Sequence, residues 1–363
     1  MRSLIYFELR KLLQRRLVLV ALLLFLLINL FLLISAVNEQ YTYDPVSGQQ
    51  AYNLAAIKLD KEISARYGNV LTDTAVQQML SDFQPTAEML TRISGIHVAY
   101  IRQNSMQTAV QYHFANADGS WNGQTVAQQF GTEPLAIGYV TGWLSFSRCF
   151  IKILLMLAAL LLILLAPIFS GEYNGMDQLL LTTRYGRCKC SLAKITAAFL
   201  LTLTLTAAVL ACNLLLAYLV LGSDGLDCSI LFSGISFSEQ SIPYNITCRT
   251  MLRYQILLTF TAVFMLTGIV LLLSALSKTP FVTLITAAGL LVLPILLPVQ
   301  ETSSLYRFIA LLPLYQIQFL SLMSLQQWSN GLLYAILAVP TSVFTAIVGT
   351  ILANRQFSRH QVS

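Results

Sequence analysis

The 363-residue chain is 56% hydrophobic and only 10% charged, with a net charge of +6 and a mean hydropathy of +0.69. Ordinary soluble domains carry about 25% charged residues, so this chain has too few to coat a water-facing surface, and the two soluble domains its length alone would suggest are excluded. The surplus of cations does not point to nucleic acid, because many of them lie in short segments beside apolar runs.

Residues 1–16 predict an amphipathic basic helix, with Leu4, Ile5, Leu9, Leu12 and Leu13 at helical spacing among Arg2, Arg10, Lys11, Arg15 and Arg16. Such a helix can lie in a membrane interface beside anionic headgroups; the alternative is a plain extension of the first span into water. A hydrocarbon core of about 30 Å needs roughly 20 apolar residues in a helix. Runs of about that length fall near 17–37, 149–170, 195–221, 254–276, 281–299 and 331–353. The first has a basic flank like a signal peptide, but no small-residue cleavage site follows it, so it reads as a retained anchor. Pro280 fits the first position of the fifth helix, where no backbone donor is lost. Pro294 and Pro298 would kink or end that helix.

Between the first two runs, residues 38–147 shift to Gln, Asn, Thr, Ser, Tyr and Ala, and only they are long enough for a domain outside the membrane. This stretch reads as mainly helical, with a turn at Tyr41–Gly48 and breaks at Gly68 and Pro85. Met89, Ile93, Ile96 and Tyr100 give one apolar helix face, for the domain's own core or, alternatively, for a second subunit. His97 and His113 have no companion acid or cysteine at ligand spacing, and no metal site is expected. Cys188-Lys189-Cys190 is too tight for a zinc pair. In the segment near 222–250, Cys228 and Cys248 are candidates for a disulfide, worth about 3 kcal/mol in the chain-entropy model; free thiols are the alternative. Asn245-Ile246-Thr247 matches a glycosylation sequon by pattern alone. The segment 300–330, with Tyr306, Phe308, Pro313, Tyr315, Phe319 and Trp328, is expected to lie partly in the interface as an aromatic belt.

Lys/Arg bias gives the orientation. Arg2, Arg10, Lys11, Arg15 and Arg16 precede the first span; Arg184, Arg187, Lys189 and Lys194 lie between the second and third; Lys278 precedes the fifth; Arg355 and Arg359 follow the sixth. Only Glu8, Glu172 and Asp177 oppose them in these segments, which six spans place on one side. Both termini are therefore expected in the cytoplasm of a multi-pass cell-membrane protein. Arg148 and Lys152, at the start of the second span, would snorkel to the interface.

The spans contain no Asp or Glu. Ion-coupled carriers and intramembrane acid–base enzymes need such groups, so both classes are disfavoured. No HExxH, GxSxG or GxxxxGK[ST] pattern occurs, leaving no protease candidate and no phosphate loop of the chain's own. Thr202, Thr206 and Asn213, with Thr196 and Thr204 beside them and Thr259, Thr261 and Thr267 in the fourth span, are mild polar groups. They suit interhelical hydrogen bonds of about 0.6 kcal/mol each, or, alternatively, a weakly polar substrate path.

The longest connection between spans on the basic side runs from Phe169 to Lys194. Glu172 follows the second span, then come a glycine, an apolar ridge (Met176, Leu179, Leu180) and a basic turn. With Glu8-Leu9-Arg10-Lys11 and Arg15-Arg16 ahead of the first span, and with Phe169, Glu172, Gly175, Leu179–Leu180, Thr183, Arg187 and Lys194 in the loop, the chain resembles an ABC-2 type permease, the transmembrane subunit of a bacterial ATP-binding-cassette exporter. Where that family often has proline before the basic turn, Thr182-Thr183 stands here. The resemblance implies that the loop docks on a separate cytosolic ABC ATPase subunit through Glu172, Gly175, Asp177, Arg184 and Arg187. It also implies a second permease copy or relative, and export of a lipid-like, peptide or antibiotic compound. No cofactor is expected on this chain, ATP and Mg belonging to the ATPase, and the chain is not expected to be an enzyme. The alternative is a membrane-anchored sensor or assembly scaffold. The predicted fold is an all-α polytopic membrane protein: an interfacial helix at 1–16, a first transmembrane helix at 17–37, an extracytoplasmic domain at 38–147, five more transmembrane helices within 148–353 with a coupling loop at 171–194, and a tail at 354–363.

Overall fold

A computed structural model describes residues 2–83, 104–116, 119–173, 188–233, 245–297, 299–300, 303–318 and 331–359. Among them the chain forms fourteen helices and one two-stranded sheet. Five helical stretches are long and apolar enough to cross a membrane: Arg16–Asn38, Thr141–Ser170, Lys189–Leu221, Cys248–Leu276 and Tyr334–Arg359. The chain is thus a helical polytopic membrane protein. The fifth predicted run forms Pro280–Leu296, 17 residues long, or about 26 Å at 1.5 Å per residue, short of the usual hydrocarbon thickness. Its prolines explain the limits: Pro280 takes the first helical position under a Thr279 cap, and Pro294 lies in the last turn.

The chain divides into two compact units. The first comprises Met1–Leu30, Phe150–Asn213 and Tyr254–Ser363. It holds α1 (Arg2–Leu13), α8 (Pro167–Ser170), α11 (Pro280–Leu296), α12 (Ser304–Ile309), α13 (Pro313–Ile317) and α14 (Gly331–Arg359). It also holds most of α2 (Arg16–Asn38), α7 (Thr141–Leu165), α9 (Cys188–Leu221) and α10 (Cys248–Leu276). Helices α10 and α14 meet backbone to backbone. A Cβ on Gly268 would lie 2.6 Å from the Ala346 Cα, and one on Gly349 would lie 2.6 Å from the Gly268 carbonyl oxygen. Small residues permit that approach, and dispersion across it replaces the hydrophobic drive that lipid cannot supply.

Two parts of this unit go beyond the expectation. The segment 303–318, expected to lie partly in the interface, also carries a buried polar side chain. In α13 the buried Gln316 amide donates to the Leu311 carbonyl and the Ser342 hydroxyl, both at 2.7 Å, and accepts from the Thr261 hydroxyl at 3.2 Å. Thr261 and Ser342 stand near the middles of α10 and α14, where a buried amide needs partners. Phe319 and Trp328 lie outside the described residues. The last helix also runs on to Arg359, past the predicted end at 353, because Phe357 is buried against the rings of Phe169 and Tyr173 at 5.0 and 6.3 Å.

The second unit, Phe31–Cys149 with Leu214–Arg253, is mainly helical but opens with a hairpin where a turn is expected. Strands β1 (Tyr41–Tyr43) and β2 (Gln50–Tyr52) pair antiparallel. Helix α3 (Asn53–Ala65) buries Ala56, Leu59, Asp60 and Ile63, a one-sided stripe. Gly68, at φ +79°, breaks the chain before α4 (Asp73–Asp82), which Thr72 caps by accepting from the Ala75 N–H. Helix α5 (Ser105–Phe114) is capped by Asn104, and α6 (Val126–Phe130) carries a Thr125/Gln128 capping box. Met79, Phe83, Met106, Val110, Phe114, Leu135 and Phe232 close one apolar core around these helices. The predicted face at Met89, Ile93, Ile96 and Tyr100, together with His97, lies outside the described residues.

Candidate functional site

On α1, Glu8 and Lys11 stand three residues apart and so share a helix face. Glu8 and Leu12 are the residues that this helix buries, while Tyr6 and Phe7 are exposed. The buried stripe is therefore centred on an acid rather than on the leucines alone. Glu172 sits in the turn after α8, and Lys194 lies in the second turn of α9. The Lys194 Nζ donates to Glu8 Oε2 at 2.9 Å and to Glu172 Oε1 at 2.5 Å, while Lys11 Nζ donates to the same Glu172 oxygen at 2.6 Å. The Lys194 side chain is 0% exposed and that of Glu172 2%.

This is a chain of charge-assisted hydrogen bonds tying three segments that are up to 186 residues apart in sequence. Removing ions from water costs several kcal/mol each, and only close pairing offsets it. Arg15 adds a further cation, whose pKa burial lowers against the opposing fields of Glu172 and Glu8. Gly171 makes room beside it, since a Cβ there would fall 3.2 Å from Arg15 Nη2 and 2.5 Å from the Pro167 carbonyl oxygen. The other carboxylate oxygen of Glu172, Oε2, is buried with no hydrogen-bond partner among the described residues.

The turn that carries Glu172 is itself anchored. Ser274 of α10 accepts from the Phe169 and Ser170 N–H groups at 3.1 and 3.2 Å and donates to the Ala166 carbonyl at 2.7 Å. A helix of only four residues has no partner of its own for those amides. Tyr173 adds a bond from its hydroxyl to the Ala275 carbonyl at 2.9 Å.

Of the residues that the sequence singles out for the loop, Glu172 thus faces inward onto two ammonium groups. Gly175, Asp177, Arg184 and Arg187 lie outside the described residues. Glu8, Lys11 and Lys194 enter the sequence reading only as parts of a basic flank and a motif end. Their signal was there: Glu8 is the one acid in the basic N-terminal helix.

Thr202, Thr206 and Asn213 share one buried face of α9. Thr202 donates to the Ala198 carbonyl at 2.6 Å and accepts from Thr267 of α10 at 3.3 Å. Asn213 donates to the Val209 carbonyl at 2.8 Å. Thr206 Oγ1 and Asn213 Oδ1 have no partner among the described residues. Cys228 and Cys248 are unbonded thiols in this structure, with Cys248 N–H donating to the Cys228 carbonyl at 3.1 Å.

Comparison with known proteins returns no match to a family model, to a curated protein or to a solved structure.

Proposed function

We propose that the chain is the transmembrane permease subunit of an ATP-driven exporter of the ABC-2 type. In this reading six helices cross the cell membrane, both termini are cytoplasmic, residues 38–147 form an extracytoplasmic domain, and the cargo is a lipid-like, peptide or antibiotic compound. The observation that carries the reading is the Glu8–Lys194–Glu172–Lys11 cluster. It brackets the segment 173–193, ties both of its ends together, and binds them to α1. A force applied to that segment by a partner would reach α1, α8 and α9 at once, because the ions that join them are too costly to separate. The chain has no phosphate loop of its own, so the nucleotide chemistry falls to a separate cytosolic ATPase, paired with a second permease copy or relative.

The test is affinity purification of the full chain from its native membranes, assayed for ATP hydrolysis and for a subunit containing a phosphate loop. The expected result is a nucleotide-hydrolysing complex that survives deletion of residues 45–140 and is lost in an R184A/R187A variant. A complex without any ATPase, yet binding an envelope ligand through residues 45–140, would replace this reading with that of a sensor or scaffold.

A further inference from the structure

The segments on either side of residues 234–244 come back into register with each other. Ser229 and Thr247 form an antiparallel bridge, flanked by two backbone bonds, Ile230 N–H to the Ile246 carbonyl at 3.0 Å and Cys248 N–H to the Cys228 carbonyl at 3.1 Å. Bonds on both sides make Ser229/Thr247 the non-bonded pair of the ladder, so Cys228 and Cys248 occupy the next position, directly opposite each other. Opposed residues at such a position have Cα atoms about 5.5 Å apart, within the roughly 4.4–6.8 Å that a disulfide spans. Their side chains emerge on one face of the ladder.

Two side-chain contacts hold that register on either side of the pair. Ser229 Oγ donates to Asn245 Oδ1 at 2.6 Å, and Arg249 Nη2 donates to Asp227 Oδ2 at 2.7 Å. The Cys228 sulfur rests against the backbone of Gly138, where an added Cβ would come within 2.7 Å of it. Cys228 is half-buried and Cys248 fully buried. An incoming reagent therefore reaches Cys228 first, and Cys248 waits behind it as the resolving thiol.

We propose that Cys228 and Cys248 are a redox pair that closes to a disulfide on meeting a low-molecular-weight disulfide oxidant, fixing the 228–248 loop to the first residue of α10. The Cys228 thiolate attacks one sulfur of the oxidant, giving a mixed disulfide and releasing one thiolate. The Cys248 thiolate then attacks the Cys228 sulfur, forming the Cys228–Cys248 bond and releasing the second thiolate. Two protein thiols are oxidised, one oxidant disulfide is reduced to two thiols, and the two protons pass to the released thiolates. The pair takes from the transport reading only its orientation, which places residues 222–250 in the compartment where disulfides persist.

The experiment uses the full chain with Cys149, Cys188, Cys190 and Cys212 replaced by alanine, purified in detergent and treated with oxidised glutathione. Denaturing alkylation with a polyethylene-glycol maleimide should add two labels before oxidation and none after it. The intact mass should fall by two hydrogen atoms, and reduction should restore both labels. A glutathione adduct that persists on Cys228, or two labels after oxidation, overturns the pairing. If the four-alanine variant does not fold, peptide mapping of the oxidised natural chain gives the same answer through a linked 228/248 peptide or its absence. Orientation is read separately, from labelling of Cys228 in reduced whole cells by a membrane-impermeant maleimide. Pairing in detergent without labelling from outside would leave the redox pair standing and refute the topology on which the transport reading rests.

Discussion

Around Lys194 the first unit buries whole ions, two carboxylates against two ammonium groups at 2.5–2.9 Å. Around Asp60 and His113 the second unit instead buries titratable groups pushed toward their neutral forms. Burial raises Asp60 to about 6, against the pull of hydrogen bonds from the Ser105 N–H and the Thr42 hydroxyl. Burial among Tyr112, Phe114, Phe130 and Phe232 lowers His113 to about 4, with contacts to the Leu231 and Ser233 backbone working the other way. The contrast is one of partners. Where opposite charges meet at hydrogen-bond distance, each partner offsets the other's burial. Where the neighbours are rings and amides, the proton balance shifts instead.

The largest effect expected from this contrast is at Lys194. K194M leaves Glu8 and Glu172 buried without their shared cation and should cost about 3–5 kcal/mol. Thermal or denaturant unfolding of the full chain in detergent would measure it. Adding E8Q to K194M removes the carboxylate whose cation is gone, while Glu172 keeps Lys11, and should restore most of the loss. A K194M chain as stable as the natural one would mean that water solvates the cluster and that it holds nothing together.

Next come the two groups of the second unit, whose signs are opposite. Asp60 has a folded pKa above its unfolded value of 3.8, so its contribution is full below about 4 and is lost as pH rises through about 6. His113 has a folded pKa below its unfolded value of 6.5, so its contribution is full above about 6.5 and is lost as pH falls through about 4. Each shift is worth about 3 kcal/mol, and in the natural chain the two slopes largely offset each other between pH 4 and 6.5. H113F should tilt the stability curve toward acid relative to the natural chain, and D60N should tilt it toward neutral pH. Melting in a W328F background, where Trp121 and Trp143 of the second unit report, would show both. Parallel curves for all three chains would place both groups in contact with water.

These differences also explain what could be read from the sequence. The long spans were legible because an uninterrupted apolar run is a local signal, and five of the six runs lie in helices of spanning length. The limits of the helices were not, since they depend on packing. Helix α7 begins at Thr141 rather than near 149, because Trp143 and Phe146 are buried there. The hairpin at 41–52 has three-residue strands, too short for an alternating pattern to stand out. The charge cluster was hidden for a different reason. Glu8 and Lys194 are 186 residues apart, and each reads alone as one more charge beside a span. Only the contact between them turns a topology signal into a structural one.

The smallest effect expected is at Arg249, whose pair with Asp227, at 2.7 Å, is as close as those of the buried cluster but not buried, the side chains being 48% and 74% exposed. Water already solvates both groups, so an exposed pair contributes about 0.2–1 kcal/mol and salt screens it. R249Q should therefore change the melting temperature of the full chain by little, and by less still at high ionic strength. The pair's stronger role is geometric, since it lies beside Cys228 and Cys248 and steadies the register that opposes them. R249Q should slow closure of the disulfide in oxidised glutathione more than it lowers stability. Stability and closure rate falling in proportion would mean that the exposed pair acts on the loop only through the general stability of the unit.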